Sequence, residues 1–257
     1  METLIVERDA RGVVSVTMNR PEKKNALSYT MFRELRELFR EVAEREEDRV
    51  LVLTGAGGAF SAGADLGHGD TPKHHQLSLM RFYGSVGLAL HQLPKPSIAK
   101  IRGVAVGAGL NLGLTCDLVA ASENARFSEI FARRGLSLDL GGSWLLPRRV
   151  GLHRAKELAL LAEIVPAAEA ERIGLVNRVV PEDQLDGLVD DWAGRLAAGP
   201  PLALAMSKRL LNDALSYGLA EALEAEGMAQ TVNTGSDDTR EAMKAFFEKR
   251  EPEFRGR

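Results

Sequence analysis

A single cysteine, Cys116, has no partner in these 257 residues, so no disulfide framework can hold the chain. Cys116 sits in an apolar stretch with no histidine nearby in sequence, which reads as a buried core thiol rather than a nucleophile. No apolar run approaches the ~18 residues that a membrane-spanning helix needs. The opening METLIVERDARG is too short and too charged for a secretory leader. Neither sign of charge dominates: 33 Lys and Arg stand against 36 Asp and Glu, a net charge of -3. That balance argues against nucleic acid or an anionic membrane as the main partner. Low-complexity segments and a clear linker are missing too. These absences describe a soluble protein of a reducing cytoplasm, and the 45% of hydrophobic residues can bury a core spread over one or two domains.

What is present alternates. VVSVTM reads as a strand around Val14, Val16 and Met18. From Ser28, a plausible N-cap, the period becomes helical, with Met31, Leu35, Leu38 and Val42 on one face. RVLVLTG is a buried strand that runs into the glycine-rich loop GAGGAFSAGADL, and a helix is expected over 72–93. PSIAKIRG and DLVAAS return as strands, so strand–loop–helix units repeat in an α/β pattern. After Pro147 the chain turns helical, and beyond GPP it reads as helix throughout. The segment from Pro201 to Phe254 carries an apolar stripe (Leu204, Leu211, Leu215, Leu219, Leu223) that must pack on the core or on another subunit. The expected division is therefore 1–198 as core and 199–257 as a helical subdomain. Trp144 and Trp192 read as packing residues, and REVAEREEDR as an exposed helix face.

Two glycine-rich loops, GAGGAFSAGADL and GVAVGAGLNLG, invite three readings. Neither has the G-x-G-x-x-G spacing of a dinucleotide turn, and no P-loop lysine follows. Glycine as an aid to tight turns and close packing explains some positions, Gly103 and Gly113 among them. The third reading is that both loops aim backbone N–H groups at one developing negative charge. A helix starting near Gly107 leaves its first amides unpaired and places positive partial charge there, and an amide from SAGAD would complete a two-donor oxyanion hole. GHGDTPKHH offers His68, Asp70, His74 and His75 but lacks a recognisable metal-ligand spacing, so no metal is expected.

The motifs NRPEKKNAL, GAFSAGADL, IAKIRGVAVGAGLNLGLTCDL, GLVNRVV and AFFEKREPEF, in that order and spacing, resemble the enoyl-CoA hydratase/isomerase, or crotonase, family from about Val14 to the C-terminus. The resemblance implies an α/β spiral of ββα units with a C-terminal helical trimerisation subdomain, assembled as a homotrimer or as a hexamer of paired trimers. It implies an acyl-CoA substrate and no further cofactor. The oxyanion-hole amides fall on Ala64 and Ala108. Coenzyme A contacts fall on the segment from Lys24 through Ala26 to Leu27, on Ala62, Asp65 and Leu66 near the adenine, and on Phe246 and Lys249, which in related enzymes reach a neighbouring subunit's coenzyme.

The family's hydratases use two glutamates, and the corresponding positions here are Asn111 and Phe131. Hydration by that pair is therefore not expected. Asp139, in the apolar loop GLSLDLGG, stands where some isomerases of the family place an aspartate; it reads either as a general base or as an N-cap for the next helix. Glu129 lies two residues from the second hydratase position, a rotation of about 200° on a helix, and reads as a surface or capping carboxylate. One carboxylate suffices to move a double bond, so the sequence favours an enoyl-CoA double-bond or ring isomerase. Two alternatives are a hydratase with a non-standard residue set and a relative that binds acyl-CoA or RNA without chemistry.

Overall fold

The computed structural model describes residues 1–67 and 71–257. In chain order the elements are β1 (Leu4–Arg8), β2 (Val13–Met18), α1 (Tyr29–Glu44), β3 (Val50–Gly55), α2 (Gln76–His91), β4 (Ser97–Ile101), β5 (Val104–Val106), α3 (Ala108–Thr115), β6 (Leu118–Ser122) and β7 (Arg126–Ser128). There follow α4 (Gly142–Val150), α5 (Leu152–Leu161), β8 (Val165–Pro166), α6 (Ala167–Arg172), β9 (Arg178–Val180) and α7 (Leu185–Ala198). Three helices end the chain: α8 (Pro201–Asp213), α9 (Leu219–Gly235) and α10 (Asp237–Glu248).

Two sheets share the strands. The larger has the order β1-β2-β3-β4-β6-β9, the smaller β5-β7-β8. From β2 to β9 every pairing in the larger sheet is parallel. Each turn of the spiral lays one strand in the larger sheet and the next in the smaller, β4 then β5, β6 then β7, and β5 and β7 run parallel. The glycine-rich loop after β3 takes the equivalent place: Ser61 bridges Ala105 beside β5. Both glycine loops thus lie at one edge of the smaller sheet. The arrangement is the spiral of ββα turns with a C-terminal helical region that the sequence leads one to expect.

The central strands β3, β4 and β6 are buried on both faces, as parallel strands between helical layers must be. Leu51 and Leu53 of β3 face the main core, while Val50 and Val52 face Leu185, Val189 and Ala193 of α7. The Ser28 hydroxyl caps α1 by accepting the Met31 N–H at 3.2 Å. Met31, Leu35, Leu38 and Val42 are fully buried, each contributing about 1.5–3 kcal/mol.

Some expectations need correction. α2 starts at Gln76, where His75 Nδ1 accepts the Leu77 N–H at 3.2 Å, four residues after the expected start. β5, β7 and β8 were not anticipated. Asp48, inside the run read as an exposed face, lies beyond the end of α1 and is buried against Arg8, with Nε to Oδ1 at 3.0 Å. Trp144 does pack, between the His91 ring, 5.1 Å away edge-on, and the Arg148 guanidinium at 4.0 Å. Trp192 packs half-buried under the larger sheet.

α8 is tied to the core through Lys208 Nζ and Asp117 Oδ2 at 2.8 Å, and through the Asn212 amide donating to the His91 carbonyl at 3.2 Å. Most of the apolar stripe stays uncovered by this chain: Leu211 is 75% exposed and Leu219 78%. The tail folds back, its Arg255 and Gly256 amides donating to Asp238 at 2.7 and 2.9 Å. Among the described residues no helix is long and apolar enough to cross a membrane.

Candidate active site

Gly107 turns the chain from β5 into α3 at φ 52°, ψ −129°, a conformation that residues with a β-carbon avoid. Ala108 is consequently the first residue of α3, and a helix of L-residues leaves that amide without an intrahelical acceptor. The second loop is pinned from the other side. Leu27 donates to the Gly63 carbonyl at 2.8 Å and accepts from the Asp65 amide at 2.9 Å, so the Ala64 N–H between them points away from this pairing. Among the described residues neither the Ala64 nor the Ala108 amide is given to a partner. The two loops touch: a β-carbon on Gly63 would lie 3.0 Å from the Val106 carbonyl oxygen and 3.9 Å from the Ala108 nitrogen. Ala64 is exposed and Ala108 buried, which puts two uncommitted donors at the boundary between solvent and core.

Asn111 follows Ala108 by one turn of α3. Its Nδ2 donates to the main-chain oxygen of Asp139 at 3.0 Å and, at a long 3.4 Å, to Glu129 Oε2. Gly142 makes room for it, since a β-carbon there would sit 2.4 Å from that nitrogen. Three buried side-chain oxygens of this cluster have no partner: Asn111 Oδ1, Glu129 Oε1 and Asp139 Oδ1. Orphaned polar atoms in a protein interior cost on the order of 1–3 kcal/mol each.

Asp139 does not cap α4. That helix starts on Gly141 in a left-handed turn, with no side-chain cap. The Asp139 carboxyl is half-buried, and burial pushes its pKa up to about 6. Glu129 corrects the sequence reading. It is 1% exposed, and burial, opposed by the Asn111 hydrogen bond and reinforced by the charge of Asp139, pushes its pKa up to about 8. Ile130–Arg134 is a 3-10 turn rather than an α-helix, so a rotation counted at 3.6 residues per turn does not apply, and Glu129 follows β7 at the N-cap position of that turn without making a capping bond. Phe131 is buried with its ring against Gly107, 3.7 Å from where a β-carbon would stand.

The residues matched to coenzyme A contacts fall into two groups. Lys24, in a left-handed turn, accepts the Ala62 N–H on its carbonyl at 2.9 Å, with its side chain exposed. Ala26 and Leu27 are buried beside it, and Leu66 is 59% exposed. Asp65 pairs with Arg20 at 2.8 Å, a bond that holds its carboxyl below the usual range. These form one strap along the Ala64 loop. Phe246 and Lys249 lie apart at the end of α10, Phe246 75% exposed with its ring edge-on to Phe247 at 5.7 Å.

Among the described residues no group of three His, Cys, Asp or Glu side chains could hold a metal ion. His75 is used as a cap, while His68 and Asp70 lie outside the described residues. Cys116 is fully buried, its thiol pushed up to about 12 by burial, and takes no part in the site.

The description of the enoyl-CoA hydratase/isomerase family matches residues 8–257. A protein of Rhodobacter capsulatus named "Probable enoyl-CoA hydratase" is 40% identical over 249 residues, covering 96% of each chain. The 1,2-epoxyphenylacetyl-CoA isomerase of Escherichia coli is 37% identical over 263 residues, covering 100% of each. The crystal structure of an enoyl-CoA hydratase from Mycobacterium smegmatis superposes with a TM-score of 0.92 at 37% identity, covering 98% of each chain. With the spiral fold and the paired uncommitted amides, these likenesses along the whole chain establish that the protein is an enzyme of the enoyl-CoA hydratase/isomerase family.

Proposed function

We propose that this acyl-CoA-processing enzyme is an isomerase that moves a double bond, or opens a strained ring, next to a coenzyme A thioester. The observation that supports this reading most is Asp139: a half-buried carboxyl with an unpartnered oxygen, tied through its own backbone to the helix that begins at Ala108. The two positions at which the family's hydratases keep glutamates hold Asn111 and Phe131, neither of them an acid. The E. coli relative named as an isomerase supports the same side of the choice.

In a 3-enoyl thioester the Asp139 carboxylate takes a proton from C2. The electron pair moves into the carbonyl, and the oxygen that becomes negative accepts N–H bonds from Ala64 and Ala108. These donors are held in place before the reaction starts, so no reorganisation opposes the charge as it develops. The protonated Asp139 returns the proton at C4, the double bond settles between C2 and C3, and the carboxylate is regenerated. A pKa near neutrality suits a group that must take and give the same proton. The strap from Lys24 to Leu66 binds the coenzyme, and no metal or redox cofactor is required. Phe246 and Lys249, remote from the strap, meet a neighbouring subunit's coenzyme in a trimer or a pair of trimers, built in the cytoplasm on the uncovered stripe of α8 and α9.

The test is a panel of 3-enoyl-, 2-enoyl- and dienoyl-CoA thioesters followed by ultraviolet absorbance. Conversion of 3-enoyl-CoA to the conjugated product is the expected result. Efficient hydration of crotonyl-CoA with no action on 3-enoyl-CoA would overturn the choice of isomerase.

A further inference from the structure

The mechanism above uses Asp139 and leaves a second buried acid unexplained. Glu129 is more buried than Asp139, is joined to it through one Asn111 nitrogen, and keeps one carboxyl oxygen unpartnered within the same cluster. A residue kept only for packing would leave no orphaned oxygen there, since an apolar side chain fills such a place at no desolvation cost.

We propose that Glu129 is a positioning residue for the proton transfer: in its neutral form it holds the Asn111 carboxamide, and through it the Asp139 backbone, while its ionisation stops the reaction. This rests on the isomerase reading and adds a residue and a control to it. Asn111 Nδ2 carries two N–H groups and donates both to Glu129 Oε2, at 3.4 Å, and to the Asp139 carbonyl, at 3.0 Å. Opposite a neutral Glu129 the first contact stays long and weak. Once ionised, Glu129 becomes a charged acceptor of about twice the hydrogen-bond strength, and closing the longer contact draws the rigid carboxamide toward it and away from the Asp139 carbonyl. It also places a second negative charge beside a site in which the substrate itself must become negative.

The surroundings leave Asp139 as the charge that acts on Glu129. α3 presents the uncharged Asn111, and β5 carries only Val104, Ala105 and Val106. Arg126 of β7 points outward and donates to the Ala125 carbonyl. Arg133 and Arg134 of the 3-10 turn are exposed. On α5, packed against that turn, His153 and Lys156 are exposed and Arg154 pairs with Glu157 at 2.6 Å. α4 keeps Arg148 and Arg149 at its far end, Arg148 over Trp144 and Arg149 on the Leu114 and Cys116 carbonyls. Nothing among these compensates a charge on Glu129, so the pair holds one proton over the range between the two acids, about 6 to about 8.

The experiment is the pH profile of kcat/KM for the wild type, Glu129→Gln and Glu129→Leu, with an infrared measurement of the buried carboxylic acid. The wild type should show an acid limb near 6 from Asp139 and an alkaline limb near 8 from Glu129. Glu129→Gln, neutral at every pH and still an acceptor, should lose the alkaline limb and keep the acid one. Glu129→Leu removes the acceptor and should lower kcat roughly tenfold across the profile with little change in KM, the weight of one hydrogen bond. In the infrared, a carboxylic acid band should be present at pH 7 in the wild type and in Asp139→Asn, and absent in Glu129→Gln. An alkaline limb that survives in Glu129→Gln overturns the proposal, and so does a wild type without the band. A wild type that leaves 3-enoyl-CoA untouched defeats the isomerase reading instead, and the infrared result still decides whether Glu129 is the neutral partner.

Discussion

The Asn111 carboxamide donates to the main-chain oxygen of Asp139 at 3.0 Å, and the Asp139 carboxyl itself is left without a partner on Oδ1. The loop is fastened by its backbone and the reactive group hangs free. Removing the carboxylate charge therefore need not disturb the loop. In Asp139→Asn, turnover should fall by about 10²–10⁴, the usual weight of general acid–base catalysis, with acyl-CoA affinity little changed. Steady-state kinetics and thioester titration check this together, and near-normal turnover would remove Asp139 from the mechanism.

Gly142 provides the space that Asn111 occupies. A methyl group there would stand 2.4 Å from Nδ2, so Gly142→Ala should displace the carboxamide and with it the Asp139 loop. The expected outcome is a loss of about 1–3 kcal/mol in stability, the range of an overpacked core, together with a fall in kcat larger than any change in KM. Denaturant unfolding and kinetics on one preparation separate the two effects.

Folding itself should feel the acid cluster. The folded pKa of Glu129, about 8, lies above its ordinary 4.5, and that of Asp139, about 6, lies above 3.8. Groups raised in this way favour the folded state fully below their unfolded values and lose that contribution as pH rises through the folded ones. Stability should thus decline from about pH 4 to about pH 8 by a few kcal/mol from this source. Glu129→Gln should flatten the upper part of the decline, and Asp139→Asn the lower. Melting temperatures across this pH range for the wild type and both variants give the check.

The uncovered stripe of the C-terminal helices predicts assembly. Leu211, Leu215, Leu219 and Leu223 are 75%, 68%, 78% and 56% exposed, with Met228 of α9 and Phe247 of α10 exposed as well. Light scattering at micromolar concentration should report a trimer or a hexamer, and Leu219→Glu should shift the population toward monomer. A wild-type monomer would contradict the proposed assembly.

Where one element's own periodicity decided the outcome, the sequence was readable. The buried face of α1 and its Ser28 cap follow from spacing alone, and the burial of Cys116 follows from the apolar stretch around it. The two loops that hold Ala64 and Ala108 could be placed after strands, but their meeting depends on the Ser61–Ala105 bridge between segments far apart in the chain. β5 and β7, three residues each, are too short to show a period. Glu129 is hidden from a helical reading for a related reason: a strand hands over to a 3-10 turn around it, and the angle between neighbouring side chains changes at that junction. Asp48 looked like part of a solvated acidic run because Arg8, its partner, is 40 positions away.

The amides of Ala64 and Ala108 belong to the main chain, and this sets a limit on how the site can be interrogated or altered by inheritance. Every replacement of Ala64 except proline keeps the N–H, so a library of variants at that position would report tolerance of side-chain bulk and say nothing about the donor. At Ala108 even proline is ambiguous: it suits the first turn of a helix, but its ring would occupy the space into which the amide points. Codons can therefore crowd this part of the site but cannot cleanly delete it. An ester bond in place of the peptide, introduced with an α-hydroxy acid, would remove one hydrogen and leave every side chain where it is.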